Sequence, residues 1–406
     1  MRGLVLAMGV LLAGAAMADP LVPPANLEVE MPGTPEGLQH WLTGFRGRAL
    51  AAGITAPVLK AALGDVAYLP DVIRRDRNQN EFTKTIWDYL DTAVSPERIT
   101  LGVAALGRNA GLLDRIEAAY GVDKEIVVAV WGLESAYGAG RGDTPTIDSL
   151  ATLAYDGRRG AFFEAELLAL LQILQSGDTT PAHLRGSWAG AMGHTQFMPS
   201  SYLKFAVDFT GDGRRDIWGD DPTDALASTA AYLAQWGWTK GAPWGIEITL
   251  PEGFDYALSG ERITRTPAEW QALGVRAVVG GVLPDHGPAS VLLPGGVRGA
   301  ALLIYSNFQV IEKYNSADAY VIAIGHLADR LRGGPAFQAA WPRDLRALTL
   351  PERSEMQTRL TAAGFDAGGV DGKVGPLTIA AVKAFQRATG LIPDGYPSLD
   401  ILHRLR

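Results

Sequence analysis

Glu134 lies in the segment Val130-Trp131-Gly132-Leu133-Glu134-Ser135-Ala136-Tyr137-Gly138, a place where a carboxylate does little for stability. Ile126, Val127, Val130, Trp131 and Leu133 have helical spacing, and Gly138 and Gly140 follow as stop signals. Glu134 is therefore expected in the last turn, at the negative end of the helix dipole and beside apolar side chains. Both influences disfavour ionisation, so its proton is retained closer to neutral pH and can be donated. That is the chemistry of a general acid. The ordinary alternative is a solvated helix-end glutamate, but an acid in the last turn opposes the dipole.

A second segment is equally unusual. Gly186-Ser187-Trp188-Ala189-Gly190-Ala191-Met192-Gly193-His194-Thr195-Gln196-Phe197-Met198-Pro199-Ser200-Ser201-Tyr202 gathers glycines and small residues around Gln196 and several hydroxyls. Such a composition lets backbone and short polar groups approach a ligand closely. His194 has no second His or Cys at ligand spacing, so a zinc site is not expected. Ser187 lacks the Gly-x-Ser-x-Gly elbow of a serine hydrolase.

The elements that must position these groups are mainly helical. The pattern predicts helices over 37–51, 55–62, 96–120, 123–137, 146–154, 161–176 and 223–236, the last opened by a capping residue at Thr223. Arg74 to Gln79 reads as a polar connection, either a solvated loop or the lining of a groove. From Trp244 to about Leu303 the texture turns to short strands, such as Ile246 to Leu250 and Ala289 to Leu293. Helices resume at 308–312 and 317–332. A Pro- and Arg-containing linker near 342–350 leads to a last module, 351–406.

Composition narrows the function. The chain has 406 residues, 47% of them apolar, enough for two or three domains. A net charge of −8 argues against nucleic acid as a partner. Arg2, the apolar run Leu4 to Ala16 and the small-x-small site Ala16-Met17-Ala18 read as a secretion signal over 1–18, followed by an extended Pro-rich segment over 19–34. The apolar run is short for a membrane span. With no Cys in the chain, neither disulfides nor a lipidated N-terminal cysteine are available. A soluble, exported, periplasmic protein without a stable membrane anchor is expected.

Taken together, the two segments resemble the lytic murein transglycosylase B family, lysozyme-like bacterial enzymes that cleave peptidoglycan glycan strands. The resemblance spans roughly 35–341 and includes Ala154-Tyr155-Asp156-Gly157-Arg158-Arg159, Asp208 to Gly213, and Tyr305-Ser306-Asn307-Phe308 with Lys313-Tyr314-Asn315-Ser316. Gln309 departs from it, since the family is more apolar there. The last module, with Asp371-Gly372-Lys373-Val374-Gly375-Pro376-Leu377-Thr378, resembles a three-helix peptidoglycan-binding domain; its two glycines also serve tight turns, and Thr378 is expected to begin a helix. The resemblance implies a mainly α fold: a lysozyme-like helical catalytic domain with a small strand-bearing insertion, plus that three-helix domain.

It also implies a mechanism. Most glycosidases use two carboxylates; Asp143, Asp148 and Asp156 carry no motif that demands catalytic placement, surface or capping roles fitting each. Lytic transglycosylases use one. Glu134 would protonate the oxygen joining N-acetylmuramic acid to N-acetylglucosamine, then take the C6 hydroxyl proton as the 1,6-anhydro ring closes. By motif position Ser187, Gln196, Tyr232, Asn315 and Tyr320 would contact substrate. Gln196 and Asn315 also read as core amides, and Tyr232 as a core aromatic.

Asp208-Phe209-Thr210-Gly211-Asp212-Gly213-Arg214-Arg215-Asp216 has the oxygen spacing of a calcium loop, but Gly219 stands where the bidentate Glu belongs. A standard EF-hand is thus excluded. The resemblance implies a structural calcium on Asp208, Thr210, Asp212, Arg214 and Asp224, with Gly219 and Asp220 as a short insertion; the alternative is an Asp/Gly-rich turn. No cofactor is expected to be required, and a monomer is the expected state. Two rivals remain: a hydrolytic muramidase, and a non-catalytic cell-wall-binding protein.

Overall fold

The protein is described from a computed structural model covering residues 33–77 and 84–406. The secretion signal, nearly all of the extended segment, and Asn78 and Gln79 lie outside the described residues. Seventeen α-helices and seven short strands are found among the described residues. None of these helices is long and apolar enough to cross a membrane.

The described residues form two compact units. The first comprises 33–77, 100–236 and 313–317, and the second 84–99, 237–312 and 318–406. In chain order the first helices are α1 (Pro35–Ala51), α2 (Ala56–Leu63), α3 (Pro70–Arg77), α4 (Ile86–Ala93), α5 (Pro96–Arg108), α6 (Ala110–Tyr120) and α7 (Lys124–Ser135). Then come α8 (Thr146–Asp156), α9 (Gly160–Ser176), α10 (Pro199–Phe205) and α11 (Thr223–Gln235).

Helix α7 is the axis of the first unit. Ile126 to Gly132 are all buried, so the helix is apolar all round, the pattern of an element enclosed by others. Helices α6 and α11 pack on it, while α8 and α9 form an adjoining pair. The single helix expected over 96–120 is in fact two, broken at Asn109. There Asn109 Nδ2 donates back to the Ala105 carbonyl at 2.9 Å. That local bond competes with the helical ladder, and Gly107 and Gly111 on either side resist helix formation. The stretch expected as a polar connection is helical through Arg77, with Pro70 at its first position.

In the second unit, β3 to β7 form an antiparallel sheet in the order β4-β6-β7-β3-β5; β1 (Thr144–Pro145) and β2 (Arg185–Gly186) are a separate pair in the first unit. The sheet strands are β3 (Gly245–Thr249), β4 (Thr264–Arg265), β5 (Arg276–Ala277), β6 (Ala289–Leu292) and β7 (Ala301–Ile304). Strand β7 sits at the centre and is buried throughout. Trp270, on α12 (Pro267–Ala272), packs into this core and donates Nε1–H to the Ala289 carbonyl at 2.8 Å. Helices α13 (Ser306–Glu312) and α14 (Asp318–Leu331) follow.

The last module has three helices: α15 (Leu350–Ala362), α16 (Pro376–Ala388) and α17 (Leu399–Leu405). They close on Met356, Leu360, Val382, Phe385 and Leu402. A capping box between Thr349 and Glu352 fixes the start of α15. Helix α16 begins at Pro376, two residues before the expected Thr378. Thr378 is instead buried, with its hydroxyl shared among Gln357 and loop carbonyls.

On α14, His326 is buried and stacks on Phe337 at 4.0 Å. Burial, with Arg330 adding to it, lowers the imidazole pKa from 6.5 to about 4. Between those values the unfolded chain binds a proton that the folded one refuses, so stability rises with pH across this window and is lost as pH falls through it. Urea unfolding from pH 6.5 down to 4 should show this decline, and His326→Phe should flatten it.

Candidate active site

Glu134 occupies the last turn of α7, half-buried. The helix does not run on to the expected glycine stop. It ends on Ala136 and Tyr137, both with positive φ (49° and 60°). Ala136 N–H reaches the Gly132 carbonyl and Tyr137 N–H the Trp131 carbonyl, which closes the helix end. Gln196, with φ 54°, is the other non-glycine residue in this conformation among the described residues. All three lie in the two segments singled out by sequence. Such strain costs about 1–3 kcal/mol per residue and persists where surrounding structure enforces it, as at functional sites.

The 186–202 segment folds into consecutive tight turns. Met192 and Phe197 exchange backbone hydrogen bonds, and Ser187 N–H donates to the Ala191 carbonyl at 2.8 Å. Ser187 Oγ accepts from Ala191 N–H at 3.0 Å and caps its turn. Gln196 is buried, its Nε2 donating to the carbonyls of Arg141 (3.0 Å) and Gly193 (2.9 Å). The carboxamide oxygen of Gln196 has no hydrogen-bond donor among the described residues.

The short stretch 313–317 belongs to the same unit and carries Tyr314 and Asn315. Tyr314 donates its hydroxyl to the Thr195 carbonyl at 2.5 Å. Its pKa is driven far above the usual tyrosine value by burial first and then by the Glu134 carboxylate, which puts Glu134 in electrostatic reach of this ring. Tyr232 is fully buried on α11, packed on Phe205, Phe197 and Tyr314, and donates its hydroxyl to the Lys313 carbonyl. It therefore anchors the stretch from below. Asn315 is buried; its Oδ1 accepts from Ala317 N–H, while its Nδ2 is a buried donor without a hydrogen-bond partner. Buried orphan donors are rare in native proteins and call for a ligand or water.

Tyr314 thus ties the site together: Tyr232 and Phe197 pack on it, the Thr195 carbonyl accepts its hydroxyl and Glu134 lies in its electrostatic reach. Gln196 and Ser187 belong to the same looped segment as Thr195. Tyr320 is placed on α14 in the second unit, buried. Tyr314 was quoted in the sequence motif but not singled out. Its burial among Phe197, Tyr232 and Thr195 comes from residues remote in the chain, and its polar neighbours Lys313, Asn315 and Ser316 give no sign of it. Asp143 is exposed, Asp148 accepts from the backbone of Ala67, and Asp156 pairs with Arg77 at 2.7 Å. Buried Asp76 holds both Arg158 and Arg159. Nothing in the sequence marked Asp76 apart from its polar neighbours.

The 208–224 loop is a cage of carboxylates accepting backbone N–H groups. Asp208 takes those of Gly211, Asp212 and Gly213, together with the Thr210 hydroxyl. Asp212 takes that of Arg214. Asp224, expected as a calcium ligand, is buried and takes those of Phe209, Thr210 and Asp216 at 2.8–3.0 Å. These hard oxygens suit calcium in kind, and a carboxylate oxygen accepting one N–H keeps a lone pair for a cation. The residues fit the ion, yet the loop already closes on hydrogen bonds alone. Asp224→Ala, which strands three N–H groups, should cost at least about 2 kcal/mol in urea unfolding. The loss should persist in chelator if the hydrogen bonds, rather than an ion, are its cause.

The chain matches the Transglycosylase SLT domain family over residues 37–329 and a peptidoglycan binding domain family over 349–405. It is 35% identical over 294 residues to membrane-bound lytic murein transglycosylase B of Escherichia coli (strain K12), covering 68% of this chain and 78% of that protein. Its structure is similar to that of SltB3 from Pseudomonas aeruginosa in complex with NAG-anhNAM-pentapeptide: TM-score 0.88 and 48% identity over 91% of this chain and 99% of the other. It is also similar to Escherichia coli Slt35 in complex with calcium: TM-score 0.62 and 30% identity over 77% and 98% of the two chains. The expected mainly helical, lysozyme-like fold with a small antiparallel sheet and a helical C-terminal domain is the fold observed. The chain belongs to the lytic murein transglycosylase B family and is a peptidoglycan lytic transglycosylase carrying a C-terminal peptidoglycan-binding domain.

Proposed function

We propose that Glu134 is the single catalytic acid and base of this enzyme. The observation that carries the reading is the setting of Glu134: the last turn of an enclosed helix, next to two strained residues and in electrostatic reach of buried Tyr314. Protonated Glu134 donates to the oxygen leaving C1 of the N-acetylmuramic acid ring. The C1–O bond breaks, and the ring's own 2-acetamido oxygen stabilises the positive charge at C1. Glu134, now ionised, takes the C6 hydroxyl proton while O6 bonds to C1. The product is a 1,6-anhydro ring, Glu134 is reprotonated, and no water is consumed. Each nearby aspartate having another partner or an exposed position supports one carboxylate over two.

Asn315 Nδ2 and the Gln196 carboxamide oxygen supply a donor and an acceptor for the acetamido group or its neighbouring hydroxyls. Ser187 shapes the turn beside them. Tyr232 acts by holding the 313–317 stretch rather than by touching sugar, since its hydroxyl is already donated to Lys313. Tyr320 remains a proposed contact on motif position alone. The catalytic domain extends over 35–341 and the wall-binding module over 351–406, joined by 342–350. The module raises local substrate concentration by tethering the enzyme to an insoluble polymer. Export to the periplasm follows from the N-terminal signal and from the location of the polymer. Calcium at Asp208, Thr210, Asp212, Arg214 and Asp224 is a structural addition that the reaction does not require.

Glu134→Gln should lower turnover of purified sacculi by about 100- to 10,000-fold with the fold retained by circular dichroism. Undiminished cleavage by that variant would remove the proposed role. Mass spectrometry of the released muropeptides should show ends lighter by one water than hydrolysed ones; reducing ends would mean a muramidase. Millimolar calcium should raise Tm by a few degrees over chelator without changing turnover. An unchanged Tm would leave the loop as a hydrogen-bonded turn only.

A further inference from the structure

His194 is buried at 3% exposure in the middle of the Gly-rich segment, and every polar atom it carries is turned toward the end of α7 or the loop behind it. Trp131 Nε1–H donates to His194 Nδ1 at 3.1 Å. Nδ1 therefore carries no proton, and the proton sits on Nε2, which donates to the Gly219 carbonyl at 2.8 Å. The backbone is engaged as well. The His194 carbonyl accepts the Ser135 hydroxyl at 2.5 Å, and Ser135 Oγ in turn accepts Gly138 N–H at 3.0 Å. The ring also lies over Gly138, where a Cβ would stand 2.7 Å from Nδ1. One residue thus engages the positions three before, one after and four after Glu134.

We infer that His194 is a positioning residue: its neutral, tautomer-fixed ring and its carbonyl clamp the strained end of α7 and so set where the Glu134 carboxyl stands. The inference rests on Glu134 being the acid, as proposed above. The need for a clamp follows from the backbone. Ala136 and Tyr137 both hold left-handed conformations that would relax without restraint, and the turn bearing Glu134 would relax with them. A displacement of about 1 Å costs an enzyme about 100-fold in rate.

Burial, the largest influence, keeps the imidazole below its usual pKa, and neighbouring Arg141 adds to this. The Gly219 carbonyl and the Asp216 and Asp220 carboxylates pull the other way. Arg141 Nη1 also stands 3.2 Å from His194 Nε2, but both atoms carry hydrogens, so the Nε2 proton goes to the nearer Gly219 carbonyl. The Arg141 guanidinium donates to the carbonyls of Trp218 and Gly219 and pairs with Asp220 at 3.0 Å. It braces the loop that receives the His194 proton.

The test compares full-length His194→Phe, His194→Asn and Trp131→Phe on a soluble muropeptide tetrasaccharide, with thermal melts alongside. His194→Phe keeps the ring but removes the acceptor for Trp131; Trp131→Phe removes the donor. Each should lower kcat by about 10- to 100-fold with KM within about threefold. His194→Asn, whose amide oxygen sits near the Nδ1 position, should recover most of that loss. A structural role alone would lower activity only in proportion to the folded fraction and would not separate kcat from KM. Folded His194→Phe and Trp131→Phe proteins with unchanged kcat would overturn the inference. If His194→Phe does not fold, Trp131→Phe decides the matter. An active Glu134→Gln enzyme would remove the premise, whereas an inactive one beside a fully active His194→Phe would remove this inference alone.

Discussion

The site depends on a close approach of two backbones. The chain leaving α7 passes so near the 186–198 segment that a side chain at Gly142 would collide with the Gly186 carbonyl, and one at Gly138 with the His194 ring. Both glycines have positive φ, so conformation and space each demand them. Once the two segments touch, little else is free to vary. Gln196 bonds to the Arg141 carbonyl, Ser135 to the His194 carbonyl, and Trp131 to the His194 ring. Glu134 is thereby held by neighbours on both sides along the chain, although it stands at a helix end where fraying is the ordinary tendency. In the role proposed for it, an acid that gives and then recovers a proton at two different oxygens needs this fixity, because both transfers occur within hydrogen-bond range.

A second theme is the use of charge to hold backbone rather than to pair with charge. Asp224 and Asp208 each gather several N–H groups, and buried Glu166 accepts both the N–H and the hydroxyl of Ser200 at the start of α10. Hydrogen bonds to an ionised acceptor are stronger than neutral ones. They let irregular segments be as well fixed as helices. The Gly-rich loop, the carboxylate cage and the 313–317 stretch contribute little regular structure, yet all are pinned in this way or by a tyrosine hydroxyl, as Tyr232 and Tyr314 do for 313–317. Rigid irregular structure is what a polymer-binding site needs, since loops can present backbone donors and acceptors that helices keep for themselves.

Helices with a strong apolar period were legible from sequence to within a few residues, α7, α9 and α11 among them, because their burial pattern is written in side-chain spacing. The short helices α3, α4, α10 and α12 were not anticipated. Helices of six to eight residues hold too few turns to show a clear period, although a proline at the first position of α3, α10 and α12 was a usable signal. The break at Asn109 was missed for a different reason. Its cause is one side chain turned back on its own backbone, which periodicity does not register. In the site, Glu134 was legible because its type and place conflict with stability. His194 was set aside, since the usual reason to single out a histidine is a metal or a base, and neither applied.

By itself, then, the sequence determined the fold class, the module order, the family motifs and the acid at the helix end. These rest on side-chain type and local period, which a linear chain displays in full. The tertiary structure decided how the acid is held. It showed Asp224, a calcium candidate, accepting three backbone N–H groups, and Tyr232, a groove or core candidate, anchoring the 313–317 stretch. It ended α7 on strained Ala136 and Tyr137 instead of a glycine. Each of these turns on which atoms meet in space, whether a few residues apart at the end of α7 or far apart in the chain, as Tyr232 and Lys313 are. Hydrogen-bond partners and close approach depend on three-dimensional distance, a quantity that spacing along the chain does not contain.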